Sequence, residues 1–463
     1  MTKSRFIRFS CGVLSVVILL LLSSSFVPRA DFSQMSATSN TLMEGVLARL
    51  SALSGSAVNF SLRSLRQLKN TQGQDAYALL ELNPYGYAVV LNDNGMLLEA
   101  CLTEDSVSPL TEVNETEYYY VGPSQLAYET DQGLVLKQSN TLLTENSLQS
   151  VCRFEDNLQE ILISSAGTND VEQSVVAAPP AHQSYIKTVG GTYFPSLNNL
   201  GDNRFGTCVV IAATMLFGYY DANVHPAYVD ATYTAEATSS SSAGTTEAFH
   251  QLLCNYVYGH PVTGGSNGTS IGNALSGFNS YLRDRALPVS LCFADDTIYS
   301  AHGFYNVIAG MLESDHPVIA SFNQPNSDGS RLDHCVAVYG YSYVVLGGGA
   351  ELNSATASLP DIDYSTLMFK AHSGWLNSSQ SDRERWVSAI WFHQCAYIPD
   401  CDATGTHYSA VKKYIFGDYH SGNLHYYKRQ LACCSCGVNT GTDWEALPCD
   451  GNCVGMMSTR EAS

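Results

Sequence analysis

The chain is short of positive charge. Its 463 residues hold 23 Lys and Arg against 43 Asp and Glu, a formal net charge of −20. Neutralising phosphates needs clustered Lys and Arg, so no nucleic-acid partner is expected. Charge of either sign is sparse, at 14% against 45% apolar residues. That composition builds cores and argues against wholesale disorder. The acidic excess reads as solubility, and the few Lys and Arg leave few sites for trypsin-like cleavage. After the first thirty residues no run of about 18 apolar residues occurs, so no later membrane span is expected. No HExxH run occurs either, which removes one signature of a catalytic zinc. No lipidation cysteine follows the first apolar run, because Cys11 precedes it.

What is present falls into four stretches. In residues 1–30, Lys3, Arg5 and Arg8 precede an apolar core, Val13 to Leu22, and then small or turn-forming residues. This is the pattern of a secretory signal peptide, or of an N-terminal anchor if it stays uncleaved. Membrane association is expected only there, and only transiently. Residues 31–180 read as a small β-rich unit. YALLEL, YAVVL and MLLEACL, between Tyr77 and Leu102, are strands broken by Pro84-Tyr85-Gly86 and by Asn92 to Gly95. Asn-Gly is a hairpin signal. Tyr118 to Pro123 adds an edge or turn, and the Ser-, Ala-, Gly- and Pro-rich run Ser164 to Ala181 reads as a linker.

Residues 181–400 form the second unit. A polar loop, Asn198 to Thr207, leads into CVVIAATMLFGYYD, Cys208 to Asp221, which is apolar on nearly every face and predicts a buried helix. Thr238 to Gly244 and Gly264 to Ser270 are polar loops. Pro317 to Phe322, the run following Asp333, Leu367 to Ala371 and Val387 to Phe392 predict strands. Helix first and strands later suggest an α+β fold. Residues 401–463 make a Cys- and His-rich tail too small to rely on a hydrophobic core.

The chemistry centres on Cys208. Of fourteen cysteines it alone stands where a polar loop meets a buried helix, and a helix N-terminus favours a thiolate. His334 opens a strand in DHCVAVYGY, 126 residues downstream. An imidazole held at a strand end beside a helix terminus suits a general base.

GTCVVIAATMLFGYYD, DHPVIASF, HCVAVYGY and KAHSGWL resemble successive blocks of the secreted bacterial papain-like cysteine peptidases, in the streptopain-like and bacteriocin-leader-peptidase-like groups. The resemblance covers about residues 182–400. It implies a papain-like fold in which a central helix bearing Cys208 packs on an antiparallel sheet bearing His334, behind an N-terminal pro or accessory domain. It implies a monomeric hydrolase acting on protein or peptide substrates without a required cofactor, outside the cell or at its surface. The family orients its His through an Asn or Asp just ahead of a Gly-Trp pair. Here that position is His372, with Asn377 as a fallback. The family's oxyanion donor corresponds to Asn203, with the Cys208 backbone N–H. The first unit is similar to propeptides that block the cleft, with a permanent accessory domain as the alternative. Because His372 departs from the pattern, a papain-like binding protein without activity is the rival function, and a Cys–His acyltransferase or amidase the third.

The tail leaves two chemistries open. Cys433, Cys436, Cys449 and Cys453 approximate a zinc-ribbon spacing, while an exported chain can equally pair cysteines as disulfides.

Overall fold

The computed structural model describes residues 37–55, 58–106, 108–110, 117–137, 140–149, 151–152, 154–155, 158, 184–197, 206–233, 246–262, 268–287, 289–295, 301–313, 315–325, 331–344, 358–359, 364–374, 384–398, 414–420, 423–429 and 445–446. It is a mixed α/β structure with one large sheet and several helices.

The first unit begins with helix α1, Ala37–Leu53. Strands β1 (Ser61–Lys69), β2 (Asp75–Asn83), β3 (Tyr87–Leu91) and β4 (Leu97–Cys101) follow as an antiparallel meander. The two predicted turns are where the sequence places them. In the second, Leu91 N–H donates to Met96 O at 2.9 Å, and Gly95 sits at φ +70°, where a side chain would strike Leu42 of α1. Strand alternation divides the meander into two faces. Leu79, Tyr87 and Val89 join the main core, while Leu80, Leu82, Ala88 and Val90 pack with Val46, Leu50 and Leu53 of α1. With both faces covered, the strands read as unbroken apolar runs. Strands β5 (Tyr118–Gly122), β6 (Gln125–Thr130), β7 (Gly133–Leu136) and β8 (Thr141–Leu142) extend the sheet beyond β1.

The second unit opens with β9 (Ser184–Thr188), then the predicted helix α2, Cys208–Asn223, buried from Cys208 to Asp221. The expected helix-first order is incomplete. Three more helices follow, α3 (Thr246–Tyr258), α4 (Ile271–Asp284) and α5 (Ala301–Glu313), with β10 (Cys292–Asp295) ahead of the last. Strands β11 (Val318–Pro325), β12 (Arg331–Val344), β13 (Ser358–Leu359) and β14 (Met368–His372) come next. The predicted strand Val387 to Phe392 is in fact two, β15 (Glu384–Ser388) and β16 (Phe392–Tyr397), because a 3₁₀ turn at Ala389–Trp391 breaks it. In the tail, β17 (Tyr414–His420), β18 (Asn423–Arg429) and β19 (Glu445–Ala446) form a small sheet with β13.

The large sheet runs β10-β16-β11-β12-β14-β15-β4-β3-β2-β1-β5-β6-β7-β8, with β9 paired to β12. The first unit therefore continues the sheet of the second through β4 and β15, where Trp386 pairs with Ala100 and Val387 with Glu99. Trp386 Nε1 donates to Leu53 O at 3.1 Å and Arg49 Nη2 to Thr366 O at 3.4 Å. Phe154 stacks on Trp391 with ring centroids 3.4 Å apart, and Tyr120 meets the same indole edge-on at 5.8 Å. No helix of the described residues is long and apolar enough to cross a membrane.

A join of this kind resists separation. With a specific protease site introduced between residues 165 and 175, the two cut fragments are expected to co-elute on size exclusion, held by the β4–β15 ladder and the buried tryptophans. Separation without denaturant would show that the contact is weak.

Candidate active site

Helix α2 has no polar face, so it is held on all sides: β12 and β11 lie along it, and α3 and α4 pack against it. This places its first residue, Cys208, 7% exposed, against β12. Thr207 precedes it and makes no side-chain cap. Its Oγ1 instead meets His250 Nε2 of α3 at 3.0 Å.

His334 lies in β12, paired in register with Phe322 of β11, whose ring meets the imidazole edge-on at 5.5 Å. It is 4% exposed. Its Nε2 lies 3.1 Å from Ser373 O. A carbonyl can only accept, so Nε2 carries the proton, and Nδ1 is the nitrogen left for Cys208. The two side chains are hydrogen-bonded.

The Cys208 thiol is held well below its ordinary pKa. The largest cause is a hydrogen bond from the Cys335 side chain. Burial opposes it, and the His334 hydrogen bond, the His334 charge and the Cys335 backbone reinforce it. A thiolate at the start of a helix is stabilised further by the orphan N–H groups and the dipole.

The sequence-stated candidates divide. Cys208 and His334 meet. His372, fully buried, stands one residue from the group that fixes His334 but spends its ring elsewhere. Gly374 N–H donates to its Nδ1 at 3.2 Å, so its Nε2 donates to Leu197 O at 3.2 Å. The expected direct orienting bond from His372 is thus replaced by the main-chain carbonyl of Ser373. His372 ties the end of β14 to residue 197 and shapes the turn that presents that carbonyl. Gly374 closes the turn at φ +66°, where a Cβ would lie 2.7 Å from Ile211 Cγ2 of α2. Asn203, Asn377 and the cysteines 433, 436, 449 and 453 lie outside the described residues. Among the described residues no group of three His, Cys, Asp or Glu is arranged to hold a metal. Cys292 is disulfide-bonded, and the other six described cysteines are in no disulfide.

Sequence reasoning missed several neighbours. Cys335 follows His334 in the same motif and reads as an ordinary buried strand residue. Helix α3 carries His250, Cys254 and Tyr258 at successive spacings of four, one face of a helix. Cys254 Sγ lies 3.7 Å from His250 Nε2. The Tyr258 hydroxyl is buried without a hydrogen-bond partner. Burial, then the charges of Cys254, Cys208 and Cys335, push its pKa up, so it stays a neutral phenol.

No family model matches the chain, and neither does any curated protein. Among solved structures, a fragment of prointerpain A from Prevotella intermedia aligns with 72% of this chain and 97% of its own, at 13% identity and a TM-score of 0.33. A likeness that weak carries no argument about this site.

Two outcomes follow from the geometry. The rate of Cys208 alkylation by iodoacetamide tracks the thiolate, so its fall on acidification is expected far below the ordinary thiol range, and His334→Ala should move that inflection upward. A wild-type inflection near the value of a free thiol would contradict the hydrogen bonds described. Removing the unpaired hydroxyl by Tyr258→Phe relieves a desolvation cost of about 1–3 kcal/mol. Thermal melting should therefore show an unchanged or higher Tm, and a clear drop would mean that the hydroxyl has a partner.

Proposed function

We propose that the chain is a secreted papain-like cysteine peptidase with Cys208 as nucleophile and His334 as general base. The observation that carries this is one arrangement: a buried thiol at a helix start, hydrogen-bonded to an imidazole whose far nitrogen is locked by Ser373 O. A nucleophile, a base within hydrogen-bond reach and a group orienting the base are the three parts that covalent acyl transfer requires. A helix bearing the thiol, packed on antiparallel strands bearing the imidazole, also supports the papain-like fold.

The reaction follows from the atoms. The Cys208 thiolate attacks the peptide carbonyl. The developing oxyanion faces the α2 N-terminus, where the Cys208 N–H and Asn203 are the proposed donors. His334 protonates the leaving amine from Nδ1 while Ser373 O keeps the ring in place. Water, deprotonated by His334, then releases the acyl-enzyme. No cofactor enters, and one chain supplies every group, which fits a monomer acting on peptides or unfolded protein. The rival reading of an inactive binding protein rested on His372 standing where an Asn or Asp was expected. The Ser373 carbonyl fills the orienting role without it.

An epoxide inhibitor of cysteine peptidases is expected to label Cys208 in the reduced protein, and Cys208→Ala should abolish both labelling and cleavage of a casein substrate. Proteolysis that persists in the variant would sink the assignment. Labelling that fails in the full chain, and fails again after cleavage between the two units, would favour the binding protein.

A further inference from the structure

The nucleophile has a second thiol beside it. Cys335 follows His334 in β12, is 2% exposed and is in no disulfide. Its side chain hydrogen-bonds the Cys208 thiol, and its main chain bonds the same sulfur, so that sulfur rests against the strand backbone. In peptide hydrolysis the second sulfhydryl stabilises the thiolate and takes no part in bond making. Two thiols in contact, one of them held below its ordinary pKa by its hydrogen bonds, have a chemistry of their own.

We propose that Cys208 and Cys335 form a reversible oxidation site, in which a hydroperoxide oxidises Cys208 and Cys335 closes a disulfide to it. The Cys208 thiolate attacks one peroxide oxygen. The S–O bond forms, the O–O bond breaks, and the departing hydroxide takes a proton from His334 to leave as water. The sulfur is now a sulfenic acid, oxidised by two electrons, and the peroxide is reduced. Cys335, deprotonated by His334, attacks the sulfenic sulfur. The S–S bond forms, the S–O bond breaks, and the departing hydroxide takes back the proton from His334 and leaves as a second water. In sum, two thiols and one hydrogen peroxide give one disulfide and two waters. The disulfide removes the nucleophile while it lasts, and a dithiol restores it by exchange. Without Cys335 the sulfenic acid would meet further peroxide and pass to the sulfinic acid, which dithiols do not reverse.

Cys254 of α3 shares the neighbourhood: its Sγ lies 3.7 Å from His250 Nε2, which in turn meets Thr207 Oγ1 at 3.0 Å. The inference deepens the reading of Cys208 as a nucleophile, yet it is read by mass and not by turnover.

The reduced full-length protein is treated with a small excess of hydrogen peroxide, quenched with iodoacetamide and mapped by non-reducing peptide mass spectrometry. Besides the disulfide of Cys292, the expected product is a cross-linked pair containing Cys208 and Cys335, lighter than the two free peptides by two hydrogens, with dithiothreitol restoring the alkylation of both. Cys254→Ala should leave the link intact. In Cys335→Ala and in Cys335→Ser, Cys208 should instead gain two oxygens that dithiothreitol does not remove. A link from Cys208 to Cys254, sulfinic Cys208 beside alkylated Cys335 in the wild type, or a Cys208 untouched by peroxide would each overturn the proposal. Because the decisive map is on the wild type, a variant that fails to fold does not decide the matter. A cross-link in a protein that cleaves no peptide would uphold the oxidation site while the peptidase reading fell.

Discussion

The structure turns on a helix that has nothing to show to water. From Cys208 to Asp221 every residue of α2 is buried, and at about 25 cal/mol per Å² of apolar surface such a helix is stable only when walled in. The walls are β11 and β12 on one side and α3 and α4 on the others. Each wall brings part of the site. β12 brings His334 and Cys335, α3 brings His250, Cys254 and Tyr258, and Gly374 seats its turn directly on Ile211. The site is assembled because the helix must be covered.

Burial then sets the electrostatics. A thiolate in a dry site is costly unless hydrogen bonds and charge answer it. Here the answers come from two consecutive residues of one strand, and they outweigh the desolvation. The fixed end of the arrangement is a peptide carbonyl. A side-chain carboxylate or amide in that place could rotate or be lost by substitution. A carbonyl held in a turn, with Gly374 at positive φ and His372 bonded on both ring nitrogens, is placed by backbone geometry.

That choice explains which parts were legible in the sequence. The hairpins between Tyr77 and Leu102 could be read because turn residues interrupt apolar runs, and α2 because its apolar run is too long for a strand. Cys208 and His334 stood out because a helix start and a strand's entry are local features, although β12 begins at Arg331 and not at His334. Ser373 did not, since every residue has a carbonyl and only the fold selects one. His372 drew attention as an ionisable group at a family position, although its ring supports the turn and leaves the bond to its neighbour. The break at Ala389–Trp391 was hidden because Trp391 is as apolar as a strand residue while its ring is occupied by Phe154 and Tyr120. The pairing of β4 with β15 left no trace at all, because strand partnership is a choice between distant segments that local composition does not encode.

The same pairing has a consequence in time. The bond from Trp386 to Leu53 closes a loop of 333 residues, and the one from Arg49 to Thr366 a loop of 317. Contacts so far apart in sequence slow folding, because chain entropy is lost long before the contact repays it. The first unit can form its meander early, but the sheet stays open at β4 until the last third of the chain arrives. Once β15 docks, unfolding must undo these long-range contacts, so the finished protein should owe its persistence as much to a high barrier as to a deep minimum.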